Sequence, residues 1–295
     1  MSGDHSVSNE QYWNNLNVNS RYKGGEKIGG PVALALLEQS GVIEAAKSGV
    51  PVKLLDNACG TGIVTSTFHA IAGGAASGFE VTCADFSEAM LNISRERAKT
   101  EGWKNTDFKI ADAQDTKLQS GHYTHILTSM GFGIFPKSDA ALDELERMLA
   151  SGGTTGFTTW HYAGWPSLIS RGLQLAGSSY VFSSMLASYK ARTGYDWSSV
   201  EEIETLLKSR GYSEVKVNKV PTFPKFSKEE IASGETGRIL VNIAVSMVGE
   251  EDVKSVLKEK VLPALAANWD DMFSESEGMY TMEMTAIVAT AKKAA

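Results

Sequence analysis

The sequence predicts an α/β fold, a doubly wound and mostly parallel sheet. Short apolar runs alternate with helical segments from Val52 to Trp160, a glycine-rich loop follows the first run, and Asp, Glu, Lys and Arg are missing from three long stretches. Alternation of strand and helix implies parallel strands joined by helical crossovers. The uncharged stretches are Asn57–Phe79, Leu118–Pro136 and Met148–Ser170. Each is interrupted by Gly, Ser, Thr and His, so they read as buried strands and tight loops rather than as membrane spans.

The elements follow in order. Val52 to Ala58 reads as a buried strand that enters the loop Cys59-Gly-Thr-Gly62, with a helix expected from about Ile63. Phe79 to Asp85 is a second strand, after which Ser87 offers a helix N-cap with Glu88 in the first turn, where the helix dipole favours an acid. Asp107 to Ala111, Tyr123 to Met130 and Thr154 to Thr159 supply three more strands. A helix over Ala140 to Ala150 is expected to stop at Gly152-Gly153. Ser199-Val-Glu-Glu202 has capping-box spacing and opens a helix ending at Gly211. Val215 to Val220 is a strand cut off by Pro221 and Pro224. Glu250 to Trp269 is one helix with Leu257, Val261 and Leu265 on a single face, and Met279 to Thr290 is the last strand. The stretches 161–198 and 221–278 exceed ordinary connections and are expected to cap the loop edge of the sheet.

Composition narrows the function. The chain has 295 residues, ample for a buried core, and 28 basic against 35 acidic residues give a net charge of −7. Such a protein repels phosphate backbones and anionic lipids, so neither nucleic acid nor membrane is an expected partner. Two cysteines, Cys59 and Cys83, build no disulfide framework. Together with a polar Met1 to Asn19 lacking a signal-like apolar run, they fit a reducing, cytoplasmic setting.

The chemistry gathers at the first loop. Glycine there permits positive φ and close approach of a ligand to the backbone, at the carboxyl end of a parallel strand, where open α/β sheets bind ligands. Asp56 stands in front of the loop, and Asp85 ends the next strand. A carboxylate at that place can accept hydrogen bonds from both hydroxyls of a ribose.

With these residues the sequence resembles the class I S-adenosylmethionine-dependent methyltransferases, whose fold is a Rossmann-like, seven-stranded sheet. Asp56, Asn57, Ala58, Cys59, Gly60, Thr61 and Gly62 resemble the family's first motif, which holds the amino-acid part of the cofactor. Asp85, Phe86 and Met90 resemble the second, with the acid on the ribose and the next residues against the adenine. Asp112, Ala113 and Gln114 are similar to the third, and Ser129 and Met130 to a later one. Ser151 stands where relatives often have proline. Within the superfamily the resemblance is to small-molecule enzymes of the ubiquinone-biosynthesis type and of fungal secondary metabolism. It implies S-adenosyl-L-methionine as cofactor and S-adenosyl-L-homocysteine as product. Two alternatives stay open: a nicotinamide-dependent oxidoreductase, disfavoured by Thr65 at the third glycine position, and a cofactor binder that does not methylate, either a regulator or a repurposed cyclase.

The division expected is an N-terminal helical or lid segment over 1–50, a cofactor-binding core over 51–160, and the rest of the sheet with its cap insertions over 161–295. Methyl transfer works by holding a nucleophile in line with the sulfonium. Of five histidines only His161, just past the fifth strand, is placed to act as a base. The acceptor pocket is expected from Phe132, Phe135, Trp160 and Trp165, with Tyr12, Trp13 and Tyr22 from a glycine-rich N-terminal lid. Such a pocket suits a small, largely apolar substrate. No metal is expected: zinc-type spacings are missing, and Ser129-Met130 and Trp160-His161 stand where magnesium-dependent relatives place carboxylates. The chain is expected as a monomer or homodimer.

Overall fold

The computed structural model describes residues 21–72, 78–180, 187–273 and 276–294. Helices α1 (Arg21–Ser40) and α2 (Val42–Lys47) precede β1 (Val52–Asn57), which leads through the glycine loop to α3 (Ile63–Ala72). Then come β2 (Phe79–Asp85), α4 (Glu88–Glu101), β3 (Thr106–Ile110), β4 (Tyr123–Ser129), α5 (Ser138–Met148) and β5 (Leu149–Ala163). The second half holds α6 (Trp165–Leu175), α7 (Ala187–Thr193), α8 (Val200–Ser209), β6 (Ser213–Thr222), β7 (Lys225–Phe226) and a π-helical turn over Glu229–Ser233. It closes with α9 (Glu235–Met247), α10 (Glu251–Glu259), α11 (Val261–Met272), β8 (Tyr280–Thr281) and β9 (Met284–Lys292).

The main sheet has seven strands in the order β3-β2-β1-β4-β5-β9-β6. β1 to β5 are parallel, and β9 runs antiparallel to both neighbours. Consecutive residues Leu54 and Leu55 of β1 are both fully buried because a central strand is covered on each face. Leu54, Cys83, Leu127 and Val288 meet Leu36 and Leu37 of α1 and Val64 and Phe68 of α3. Leu55, Ile126, Phe157 and Ile287 meet Leu142 and Leu145 of α5 and Ile203 and Leu207 of α8. A third core reaches from the Ala163 end of β5 and the Met284 end of β9 into the cap, where α6, α9, α10 and α11 close around Leu240, Leu257, Val261, Leu265 and Trp269.

Several boundaries differ from expectation. Helix α5 ends at Met148, before Gly152-Gly153, because β5 already begins at Leu149; Gly152 turns inside the strand with φ +70°. β5 runs on to Ala163, so a division at residue 160 cuts through a strand. β6 continues through Pro221, which pairs with Thr285; an edge strand needs no second ladder donor. The single helix expected over 250–269 is two, broken at Lys260. Pro263 lacks an N–H and its ring cannot sit against the Glu259 carbonyl of a continuous helix. Its apolar face survives the break, with Leu257, Val261 and Leu265 all fully buried. The final strand is likewise split, β8 pairing with β7 in a separate ribbon and β9 joining the main sheet. Gly24, Gly25, Gly29 and Gly30 lie inside α1 rather than in a loop.

Candidate active site

The strand order places β1 between β2 and β4. Helix α3, after β1, packs on one face, and α5, after β4, on the other. The chain therefore diverges above β1 and β4 and leaves a crevice at their carboxyl ends.

The glycine loop is shaped by three left-handed residues, Ala58 (φ +54°), Gly60 (+53°) and Gly62 (+76°), and is closed by Gly62 N–H donating to the Cys59 carbonyl at 2.8 Å. A Cβ on Gly62 would lie 2.8 Å from the Trp103 ring and collide with Ser94 Oγ, whereas one on Gly60 would meet open space. Asp56 sits beneath, buried, its Oδ2 accepting the Thr65 N–H at 3.1 Å and the Thr65 hydroxyl at 2.7 Å. It thereby pins the first turn of α3, and burial pushes its carboxyl up to about 6 against the pull of those bonds. Asn57 donates from Nδ2 to Thr128 Oγ1 at 3.2 Å and ties β1 to β4. Cys59 is buried, its thiol pushed well up by contact with Cys83 and by burial.

Asp85 holds the other side. Its Oδ2 accepts the Gly60 N–H at 2.8 Å and its Oδ1 the Ser87 N–H at 2.9 Å. Burial raises its pKa while these amides pull it down. The Phe86 amide donates to the same carboxylate, which retains acceptor capacity beyond these three bonds. Phe86 is half-buried next to it, and Ser87 caps α4 by accepting the Met90 N–H at 3.3 Å. Ala111 N–H donates to the Asp85 carbonyl at 3.0 Å and brings the 112–115 turn alongside. There Asp112 is exposed, its Oδ1 accepting Gln114 N–H at 2.9 Å, while Ala113 is buried and Gln114 Oε1 accepts the Lys137 N–H at 2.7 Å. At the end of β4, Ser129 Oγ lies 3.1 Å from Thr158 Oγ1, and Met130, at φ +60°, donates its N–H to the same threonine. The loop itself carries no charge, so the crevice offers backbone and carboxylate acceptors, a set suited to a cationic nucleoside rather than to a pyrophosphate.

The expected acceptor residues separate. Phe132 is fully buried against Phe135, Phe157 and Trp197, with centroids 4.7 to 5.3 Å away, so it is core packing and not a wall. Phe135 belongs to the same cluster, and Trp165 is buried in the cap core. Trp160 is half-buried where β5 meets the cap. His161 lies within β5, at the irregularity between Trp160 and Tyr162, not past the strand's end. Its Nδ1 is 2.8 Å from the Ser198 carbonyl, so Nδ1 carries the proton and Nε2 the free lone pair. Tyr12 and Trp13 fall outside the described residues, and Tyr22 is described only as part of α1. Thr65, Thr128 and Thr158 brace the site without standing in any of the sequence motifs; their signal is a polar residue inside an otherwise apolar strand or at a helix start. Among the described residues, no group of three or more His, Cys, Asp or Glu could hold a metal, and no helix is long and apolar enough to cross a membrane.

Residues 54–153 match the family described as a methyltransferase domain. Methyltransferase tpcH of Aspergillus fumigatus is 28% identical over 285 residues, covering 96% of this chain and 99% of that protein. The chain is a class I S-adenosylmethionine-dependent methyltransferase. Acetylaranotin bis-thiomethyltransferase of Aspergillus terreus is 27% identical to it, with 93% of each chain covered. A putative methyltransferase from Bacillus halodurans shares the fold at a TM-score of 0.51 and 15% identity, over 89% of this methyltransferase and 99% of that chain. The same geometry disfavours the dinucleotide alternative: where a third glycine would let the helix pack close against the strand, Thr65 stands hydrogen-bonded to Asp56.

Proposed function

We propose that this methyltransferase acts on an O, N or S nucleophile of a small, largely apolar metabolite, by in-line displacement that calls on no metal. The observation that carries this reading is the crevice itself: an uncharged loop from Cys59 to Gly62, gripped by Asp85 through the Gly60 amide, facing a cap with its own apolar core. Asp85 keeps acceptor capacity for the ribose, Phe86 lies beside it for the adenine, and the loop backbone approaches the amino-acid end. Bound there, the cofactor supplies an electrophilic methyl on a cationic sulfur. The protein's share is to exclude water, hold the acceptor in line and, where the acceptor must lose a proton, provide a base. His161 is the residue we assign to that last role, with Nε2 as the accepting atom. Likeness to a bis-thiomethyltransferase puts thiols first among acceptors to try.

The test is incubation with labelled cofactor and a panel of apolar thiols, phenols and amines, read by mass spectrometry for a gain of CH₂. No methylated product from any class would sink the reading. With an acceptor in hand, His161→Ala should lower turnover and leave cofactor binding alone. A pH–rate profile unchanged by the substitution would reduce His161 to a wall residue.

A further inference from the structure

Helix α1 crosses one face of the sheet, over β4, β5, β9 and β6. Its carboxyl end is fixed at the edge away from the crevice, where Gln39 donates to the Val288 carbonyl at 3.0 Å and to Thr290 Oγ1 at 3.1 Å. Its amino-terminal turns therefore stand at the crevice edge, where Gly29 lies against Ile63, the residue that follows the glycine loop. Neighbouring residues on a helix point roughly 100° apart, so Glu26 and Lys27 reach in different directions. Glu26 takes an ion pair at 2.9 Å from Arg97 of α4, on the cofactor-binding side. Lys27 pairs with Glu230 of the cap, donates to the Lys225 carbonyl at 3.2 Å and lies 5.5 Å over the Phe226 ring. Ile28 packs on the cap core. Both walls of the crevice are thus tied to adjacent residues of α1.

The helix is weakest just beyond those ties. Pro31 lies inside α1 and has no N–H to donate to the Lys27 carbonyl four residues earlier. Gly29 and Gly30 precede it, and glycine is the poorest helix former after proline. The two ties are also unequal. Arg97 is buried, with 5% of its side chain exposed, and holds Glu101 as well at 2.7 Å. Lys27 and Glu230 are 43% and 35% exposed, so solvent and salt screen that pair.

We propose that the amino-terminal turns of α1 form an arm hinged at Gly29-Gly30-Pro31, whose ionic latch to the cap, Lys27 to Glu230, gates the entry and release of the cofactor. The cap latch opens first because it is the exposed one; the arm then turns at the hinge and draws Glu26 away from Arg97. This rests on the reading of the crevice as the methyl-donor site. Lys27 and Glu230 are positioning residues here, acting through the arm.

Dissociation of S-adenosylhomocysteine from the immobilised full chain, followed by surface plasmon resonance, tests it. Lys27→Gln and Glu230→Gln should each speed dissociation about two- to fivefold, the size an exposed ion pair can supply. Rising salt should speed release from the wild-type protein and have little effect on either variant. The charge exchange Lys27→Glu with Glu230→Lys should return the rate to that of wild type. Gly30→Ala, which adds a methyl into open space and favours helix, should slow dissociation by about two- to fivefold. Unchanged rates in these variants would overturn the latch and hinge while leaving the cofactor reading intact, as would faster release from Gly30→Ala. A wild-type chain that fails to bind the probe would overturn both.

Discussion

In the core, Leu54 and Leu55 are buried because a central strand is covered on both faces; in the cap, Leu257, Val261 and Leu265 are buried because short helices each turn one face to a common centre. The core's site is made largely of backbone: left-handed φ at Ala58, Gly60 and Gly62, and amides held by Asp85. The cap's contribution is made of side-chain volume. A backbone site tolerates few residues at each position and leaves a fixed pattern in the sequence. A volume-built wall can be assembled from many apolar combinations.

That difference can be broken at three points. Leu265→Ala removes a fully buried side chain from the cap core and should cost about 2–5 kcal/mol of stability in urea unfolding. If the cap core can loosen without disturbing the glycine loop, affinity for S-adenosylhomocysteine should survive while acceptor turnover falls; parallel losses would mean one shared packing unit. Gly62→Ala strains a left-handed residue and drives a Cβ into Ser94 and Trp103, at about 2–4 kcal/mol. Gly60→Ala, equally left-handed but facing open space, should cost only about 1 kcal/mol. Equal losses at the two positions would show that strain, and not close approach, sets the loop. Asp85→Ala removes the acceptor for the Gly60 and Ser87 amides and should weaken cofactor binding by roughly 1.5–3 kcal/mol in titration calorimetry. An unchanged affinity would leave Asp85 with a folding role alone.

The same contrast explains what could be read in advance. Strands β1 and β2, the N-caps at Ser87 and Ser199 and the glycine loop follow from local chemistry, and the structure places them as expected. Even there the capping box is half made: Ser199 accepts the Glu202 N–H, but the Glu202 carboxylate turns to the Asp196 amide. The course of β5 past Gly152-Gly153 and of β6 through Pro221 depends on partners far away in sequence, which override the local stop signals. The aromatic residues after β4 and β5 carry no local mark of core or wall. Phe132 and Trp160 look alike in sequence, and it is packing against Phe157 and Trp197, both distant in the chain, that makes the first of them core.

The placement of β9 carries a consequence for biosynthesis. Its residues are translated after all the other strands, yet it lies between β5 and β6 and supplies the hydrogen bonds to both. While the chain is still emerging from the ribosome, β6 has nothing to pair with and β5 presents an open ladder to the cell. The sheet closes only by insertion, and the interval before it closes is when an edge-binding chaperone would find the most to hold.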